Sequence, residues 1–385
     1  MADEAMLRGA VPERRRALAV LCPAFALTGI LHSIGGPLMP SIAGSFHLRD
    51  SQSGLLFFLY FSGSSVGALL CRWNYARTVT IGFAVAAACC VGVANAGPGM
   101  LPVVFFLLGI GVGVPMSAIS LYVGRAFPER CAPILTFLNF VWSLGALAAP
   151  LIASRILTRD TYRSAYDWLA AASLAAAIVC GVLLREAPEP ARHDAGVARA
   201  SSLFLIVAFA LAAFLQVGVE NTSTAWLSSY VMREAGIGAA LAAAATSVYW
   251  FGFLASRGAS SLVLLRARTR AVFGAAIGLS FAASLALALE PSTLKHQAVM
   301  FLLGVGLAPV YPLLIAEFLK RAKHTSEARW VMAAAGFGGS VTPWLAGWIS
   351  SQTGSLRLGM FTIPASLALM VMLLPMLKSQ RGKTG

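Results

Sequence analysis

Glu220 stands near the middle of a run from Ser201 to Tyr230, SSLFLIVAFALAAFLQVGVENTSTAWLSSY, that is otherwise apolar enough to cross a bilayer. A carboxylate at that depth costs about 2.5 to 3.5 kcal/mol on insertion scales, so it faces a protein interior or a water-filled space and has a use there. Gln216 precedes it by one helical turn and Ser223 and Thr224 follow by another, which paints a polar stripe down one helix face. The chemistry that suits this pattern is proton exchange at Glu220, with Gln216 and Asn221 hydrogen-bonding a polar solute. The alternative is a permanently protonated acid, or one paired to another helix as packing glue.

His32 lies mid-way along the first apolar run, four residues after Thr28. An imidazole has an ordinary pKa of about 6.5, so it is a second candidate for proton coupling, against the plainer reading of a neutral ring bonded to a backbone carbonyl. No phosphate-binding loop, H-E-x-x-H, G-x-S-x-G or metal-ligand spacing occurs, so neither an enzyme nor a cofactor or metal is expected. The six cysteines show no paired spacing and are expected to be free thiols.

The elements that must position these groups are membrane helices. The 385 residues are 58% hydrophobic and only 11% charged, where soluble domains carry about 25% charged residues. Apolar runs of roughly 20 residues, the length a helix needs to cross the hydrocarbon core, recur twelve times: about 18–41, 53–71, 78–96, 101–124, 132–153, 166–184, 201–230, 238–256, 271–289, 298–318, 330–350 and 358–377. The fold class expected is an all-α membrane protein of twelve transmembrane helices. On that topology, 22 of the 29 Lys and Arg residues fall on one side and 7 on the other, which makes the basic side cytoplasmic and puts both termini there, in the inner membrane. The placement also disposes of nucleic acid as the partner of the +14 net charge, because no basic segment stands apart with interleaved aromatics.

The chain reads as a duplication. FLLGIG at 106–111 returns as FLLGVG at 301–306; Gly67 to Arg72 and Gly252 to Arg257 share G-x-L-x-x-R; Gly145 and Pro150 match Gly338 and Pro343. Each pair falls in the corresponding span of its half. The expected domains are a tail at 1–17, a six-helix bundle at 18–184, a polar linker at 185–200 (REAPEPARHDAGVARA), a second bundle at 201–377 and a tail at 378–385.

Two six-helix halves in parallel repeat, joined by a polar linker, resemble the major facilitator superfamily. Gly218-Val-Glu220, Trp226 and Tyr230, with Gly306-Leu-Ala-Pro309-Val-Tyr311-Pro312, are similar to its fucose permease branch of sugar-proton symporters. The resemblance implies a secondary transporter that rocks its halves around a midplane site and couples uptake of a small neutral polar solute, a monosaccharide first among them, to protons. Groups of the right type for a sugar, rings for its apolar face and amides for its hydroxyls, are Asn139, Trp142, Trp226, Tyr249 and Tyr311, together with Gln216 and Asn221. Trp and Tyr also concentrate at membrane interfaces, which is the other use these rings can have. Arg72 and Arg257 at equivalent cytoplasmic ends, with Glu317, are the expected gate residues. The partners expected are the small-molecule substrate, protons and membrane lipids, with the protein a monomer.

Two departures qualify the resemblance. The family's loop motif between the second and third spans carries an Asp, and here Gly67, Cys71, Arg72, Asn74 and Arg77 surround a position without one. The acidic groups that sugar permeases of the branch place in spans 1 and 4 are replaced by His32 and Ser33 and by Pro115 and Met116. A proton-driven exporter of amphipathic compounds is the first alternative, although GALAAPLIA in span 5 lacks the G-P-x-x-G-G pattern of antiporters. A non-transporting membrane receptor or scaffold is the second.

Overall fold

The computed structural model describes residues 2–71, 74–127, 130–159, 161–186, 202–263, 267, 269–289, 293–322 and 327–373. The expected linker beyond Glu186 and the expected C-terminal tail lie outside them, as do Arg72 and Glu290. The described chain is helical: α1 (Ala2–Ser33), α2 (Gly35–Phe46), α3 (Asp50–Leu70), α4 (Tyr75–Asn95), α5 (Leu101–Ala126), α6 (Cys131–Leu157), α7 (Tyr162–Leu183), α8 (Leu203–Ala235), α9 (Ala239–Val263), α10 (Thr269–Leu289), α11 (Thr293–Leu307), α12 (Val310–Leu319), α13 (Ala328–Thr353), α14 (Leu356–Met360) and α15 (Thr362–Leu373). Residues 2–17, expected as the N-terminal tail, are helical and continuous with the rest of α1.

Fifteen helices serve twelve spans among the described residues because three spans are interrupted, and a proline follows each helix end by four or five residues. Proline has no N–H to give the carbonyl four residues back, and its ring crowds that carbonyl. Ser33 ends α1 four residues before Pro37, Leu307 ends α11 five before Pro312 with Ala308 and Pro309 in the gap, and Met360 ends α14 four before Pro364. Among the described residues eleven stretches are long and apolar enough to cross a membrane. The twelfth expected span is α13, 26 residues long, whose Gly, Ser and Thr content lowers its apolarity but not its length.

The chain divides into two compact units, residues 1–35 with 62–193 and residues 36–61 with 194–385. In the first, α4 packs on α5 and α7, and α1 on α6; in the second, α8 packs on α13, and α11 on α9 and α10. Glycines set the tightest crossings, as expected where lipid supplies no hydrophobic drive and close backbone approach supplies the contact instead. A Cβ on Gly145 would lie 2.0 Å from the Ala26 carbonyl, and one on Gly338 2.0 Å from that of Phe214. Span 5 thus crosses span 1 as span 11 crosses span 7.

The same comparison shifts one part of the repeat. A Cβ on Gly252 would lie 2.2 Å from the Phe301 carbonyl, and the glycine whose Cβ would meet the Phe106 carbonyl, at 2.0 Å, is Gly63. Gly67, the sequence match for Gly252, sits one turn further along, where a Cβ would lie 2.6 Å from the Ile110 carbonyl. All six cysteines are free.

Candidate functional site

Glu220 lies close to the midpoint of α8, a 33-residue helix that is about 50 Å long at 1.5 Å per residue. Every residue from 221 to 231 is buried, as are Gln216, Gly218 and Val219, whereas Glu220 itself stays partly exposed. The turn from Ala235 to Ala239 folds α9 back antiparallel, and counting down both helices brings Arg257 to within about one helical turn of the depth of Glu220. Arg257 is the opposite charge that acts on Glu220, and the Tyr249 and Tyr311 hydroxyls lie within the field of that carboxylate. The guanidinium of Arg257 also lies 4.6 Å from the centre of the Phe253 ring, which holds its long side chain against α9. Arg257 was expected as a gate at the helix end; the structure directs it inward, toward the acid.

Tyr249 is fully buried and packs on Trp250 and Phe253, with ring centroids 5.2 and 6.1 Å away. Among the described residues its hydroxyl has no hydrogen-bond partner. Tyr311 is half-buried in the first turn of α12, just past the interruption at Ala308. Within the second unit, then, four of the expected residues gather: one acid, one base and two phenols. Reversible protonation is the chemistry this set supports, because Arg257 gives the deprotonated Glu220 a counter-charge and so avoids a bare ion in a low-dielectric interior.

Three groups expected to meet a solute each donate a hydrogen bond to a neighbouring helix. Gln216 is fully buried and its amide donates to the Leu307 carbonyl at 3.2 Å, at the interruption between α11 and α12. Asn221 donates to the Gly339 carbonyl at 3.1 Å. Trp226, 1% exposed, donates from its indole to the Pro343 carbonyl at 2.8 Å and meets the Phe57 ring edge-on at 5.6 Å. Of the three acceptors, the Gly339 carbonyl is the one that a proline, Pro343 four residues on, leaves without its helical N–H.

In the first unit, His32 and Trp142 form a pair, centroids 5.4 Å apart, where α1 crosses α6. Asn139, one turn before Trp142, is exposed, and its amide donates to the Leu135 carbonyl of its own helix. Glu317, expected as a gate residue, pairs with Arg321 at 2.5 Å and Lys320 at 3.9 Å. Arg72 lies outside the described residues.

Sequence reasoning passed over Ser256, whose hydroxyl donates to the Val305 carbonyl at 2.7 Å. Val305 is four residues before Pro309, so a visible signal existed: an oxygen that must find a donor elsewhere. It also passed over Asp50, Arg233 and Ser350, which meet at one end of the second unit.

The chain is 26% identical over 371 residues to a glucose/galactose transporter of Brucella abortus biovar 1 (strain 9-941), covering 88% of each chain. It superposes on the crystal structure of a D-xylose-proton symporter with a TM-score of 0.76 at 13% identity, covering 96% of this chain and 99% of that one. It superposes on the transporter FucP in its outward conformation with a TM-score of 0.62 at 20% identity, covering 94% and 99%. Residues 21–329 match the profile of the Major Facilitator Superfamily, and with its all-helical, duplicated architecture the chain belongs to that superfamily.

Proposed function

We propose that the chain is a proton-coupled importer of a monosaccharide, or a closely similar small neutral polar solute, working by alternating access in the inner membrane with both termini cytoplasmic. The observation that carries this reading is the partly exposed Glu220 at the middle of α8 with Arg257 as its counter-charge. The relatives support the solute class, since one is named a glucose/galactose transporter and another a D-xylose-proton symporter.

Glu220 takes a proton on one side of the membrane and releases it on the other. With the proton on, the acid is neutral and Arg257 is free to turn to another acceptor. With the proton off, the acid and Arg257 neutralise each other, so the site empties without stranding a charge. Tyr311, partly exposed, offers its phenol near this pair to a sugar hydroxyl, while Tyr249 is fully buried. His32 on Trp142 is the second candidate for a titrating group, and Trp142 supplies an apolar ring face of the kind sugars stack on. One proton entering per cycle gains about 2.3 kcal/mol per 100 mV of membrane potential, enough for roughly fifty-fold accumulation of a neutral solute.

The test is Glu220→Gln in proteoliposomes given D-glucose. The parent protein is expected to accumulate glucose when an inward pH gradient is imposed. The variant is expected to lose that accumulation and keep exchange of labelled for unlabelled glucose at equal concentrations. Full pH-driven accumulation by the variant would rule out Glu220 as the proton carrier.

A further inference from the structure

Two buried polar atoms of the second unit, one an acceptor and one a donor, stand without partners around Glu220. Gln216 donates its amide N–H to the carbonyl of Leu307, the last residue of α11. A carbonyl only accepts, so that bond fixes which end of the amide is which and leaves Oε1 to find a donor elsewhere. Oε1 is buried and has none among the described residues. The second atom is the Tyr249 hydroxyl, also buried and also unpaired among them. A phenol can give its hydrogen to an amide oxygen, yet these two atoms are not bonded to each other. Buried polar groups are paired in folded proteins, so both call for a third group within reach.

Glu220 is that group. It follows Gln216 by four residues, so the two side chains are neighbours on one face of α8. Side chains of a helix lean toward its N-terminus, which tips the Glu220 carboxyl over Gln216. The Tyr249 hydroxyl lies within the field of the same carboxyl. An ionised carboxylate accepts hydrogen bonds and gives none, so it serves Tyr249 and has nothing for Gln216. A neutral carboxyl carries one O–H and one carbonyl oxygen, the complement of what the two atoms lack.

Of the helices packed on α8, α9 also brings Arg257 to this point and α12 brings Tyr311. Glu317 at the far end of α12 is paired with Arg321, and α13 has Arg329 in its first turn. His296 of α11 and Arg357 of α14 lie near Tyr230, ten residues along α8. α2 and α15 carry no titratable side chain.

We propose that Gln216 and Tyr249 are positioning residues for the proton on Glu220: the neutral acid donates its O–H to Gln216 Oε1 and accepts the Tyr249 hydroxyl. Through the Leu307 carbonyl, the proton-loaded form is thereby tied to the end of α11. This rests on the reading of Glu220 as the proton carrier and adds what holds the proton there.

Infrared difference spectra of the purified protein in nanodiscs, recorded as the pH is lowered, test it. The protonated Glu220 carboxyl is the C=O band that Glu220→Gln removes. Gln216→Met keeps the side chain's length and deletes its amide, and Tyr249→Phe deletes the hydroxyl. Each is expected to move the band to higher frequency, because each takes one hydrogen bond from the neutral acid. The proton concentration at half-height should move in opposite directions. Gln216→Met removes a bond made only by the neutral form, so about two- to tenfold more protons are needed. Tyr249→Phe removes a bond that is stronger to the carboxylate, so fewer are needed. Gln216→Asn, one methylene shorter, is expected to shift the band the same way as Gln216→Met and carries the test if the Met variant does not fold. A purely structural role would lower the melting temperature and leave the band in place. An unmoved band in the Gln216 variants or in Tyr249→Phe would overturn the bridge and leave Glu220 as the proton carrier. The absence of any band specific to Glu220 would overturn both.

Discussion

Asn221 donates to the carbonyl of Gly339, the oxygen that Pro343 leaves without its helical N–H. An amide on α8 thus completes the backbone of α13, which is why an asparagine in an apolar span need not touch a solute. Asn221→Ala should lower the melting temperature in detergent, with a loss of about 0.6 to 1.7 kcal/mol, the range measured for hydrogen bonds between membrane helices. Affinity for sugar in the surviving protein should be unchanged. A drop in affinity without a drop in melting temperature would return Asn221 to the solute.

The Ser256 bond to Val305 permits a stricter test, because Pro309 is the reason that carbonyl needs a donor. Ser256→Ala is expected to cost about 1 kcal/mol. In a Pro309→Ala background, where residue 309 regains an N–H for Val305, the same change should cost close to nothing. Equal costs in both backgrounds, read from thermal melts, would show that the serine does not serve the proline.

Glu220 and Arg257 should behave as a unit. Arg257→Ala leaves an acid without its counter-charge and is expected to destabilise by about 3 kcal/mol or more, whereas removing both charges with Glu220→Gln and Arg257→Gln should be far milder. The coupling from this double-mutant cycle, measured by chemical or thermal unfolding, should exceed about 1 kcal/mol. Simple additivity would mean the two groups do not compensate each other.

Glu186 makes a similar argument in the first unit. Its two carboxylate oxygens accept the Tyr75 and Ala76 N–H groups at 3.0 and 2.9 Å, capping α4, and Arg125 stands 3.8 Å from one of them. The loop motif of the family has an Asp near this point and the chain lacks it; a carboxylate arrives instead from the end of α7. Glu186→Ala should cost about 0.5 to 2 kcal/mol, the range for losing a helix cap. An Asp introduced at Asn74, the present N-cap residue bonded to the Arg77 N–H, should recover part of it. No recovery would separate the two roles.

Glycines give a paired prediction. Gly338→Ala drives a methyl toward the Phe214 carbonyl and should cost about 1 to 3 kcal/mol or block folding. Gly278→Ala, in the interior of α10 where nothing lies within 4 Å, should stabilise by about 0.5 to 1 kcal/mol. Expression and melting temperature of the two variants should move in opposite directions.

The spans were readable because length and hydropathy are local properties, and the three breaks were readable in principle because a proline follows each within a few residues. Arg257 was placed at a helix end as a gate; counting back from the short turn that joins α8 and α9 would have put it near the depth of Glu220. What was not readable is which carbonyl a polar side chain meets. Gln216, Asn221 and Trp226 have the residue types of a sugar site, and only the neighbouring helix reveals that backbone oxygens claim them. The register of the repeat slipped for a related reason: Gly63 and Gly67 are one turn apart on the same face, and only the facing helix distinguishes them. Asp50 and Arg233 lie 183 residues apart with no pattern linking them, so their pairing is visible in three dimensions alone.

The broken tenth span leaves a mark that reaches beyond this molecule. A proline at 309 is tolerable only while a hydroxyl on a different helix answers the oxygen it exposes, so neither position drifts freely through mutation. Descendants that lose the serine first inherit a penalty that only loss of the proline relieves. Across diverging lineages the two residues should therefore be gained and lost together, a dependency written by a single hydrogen bond.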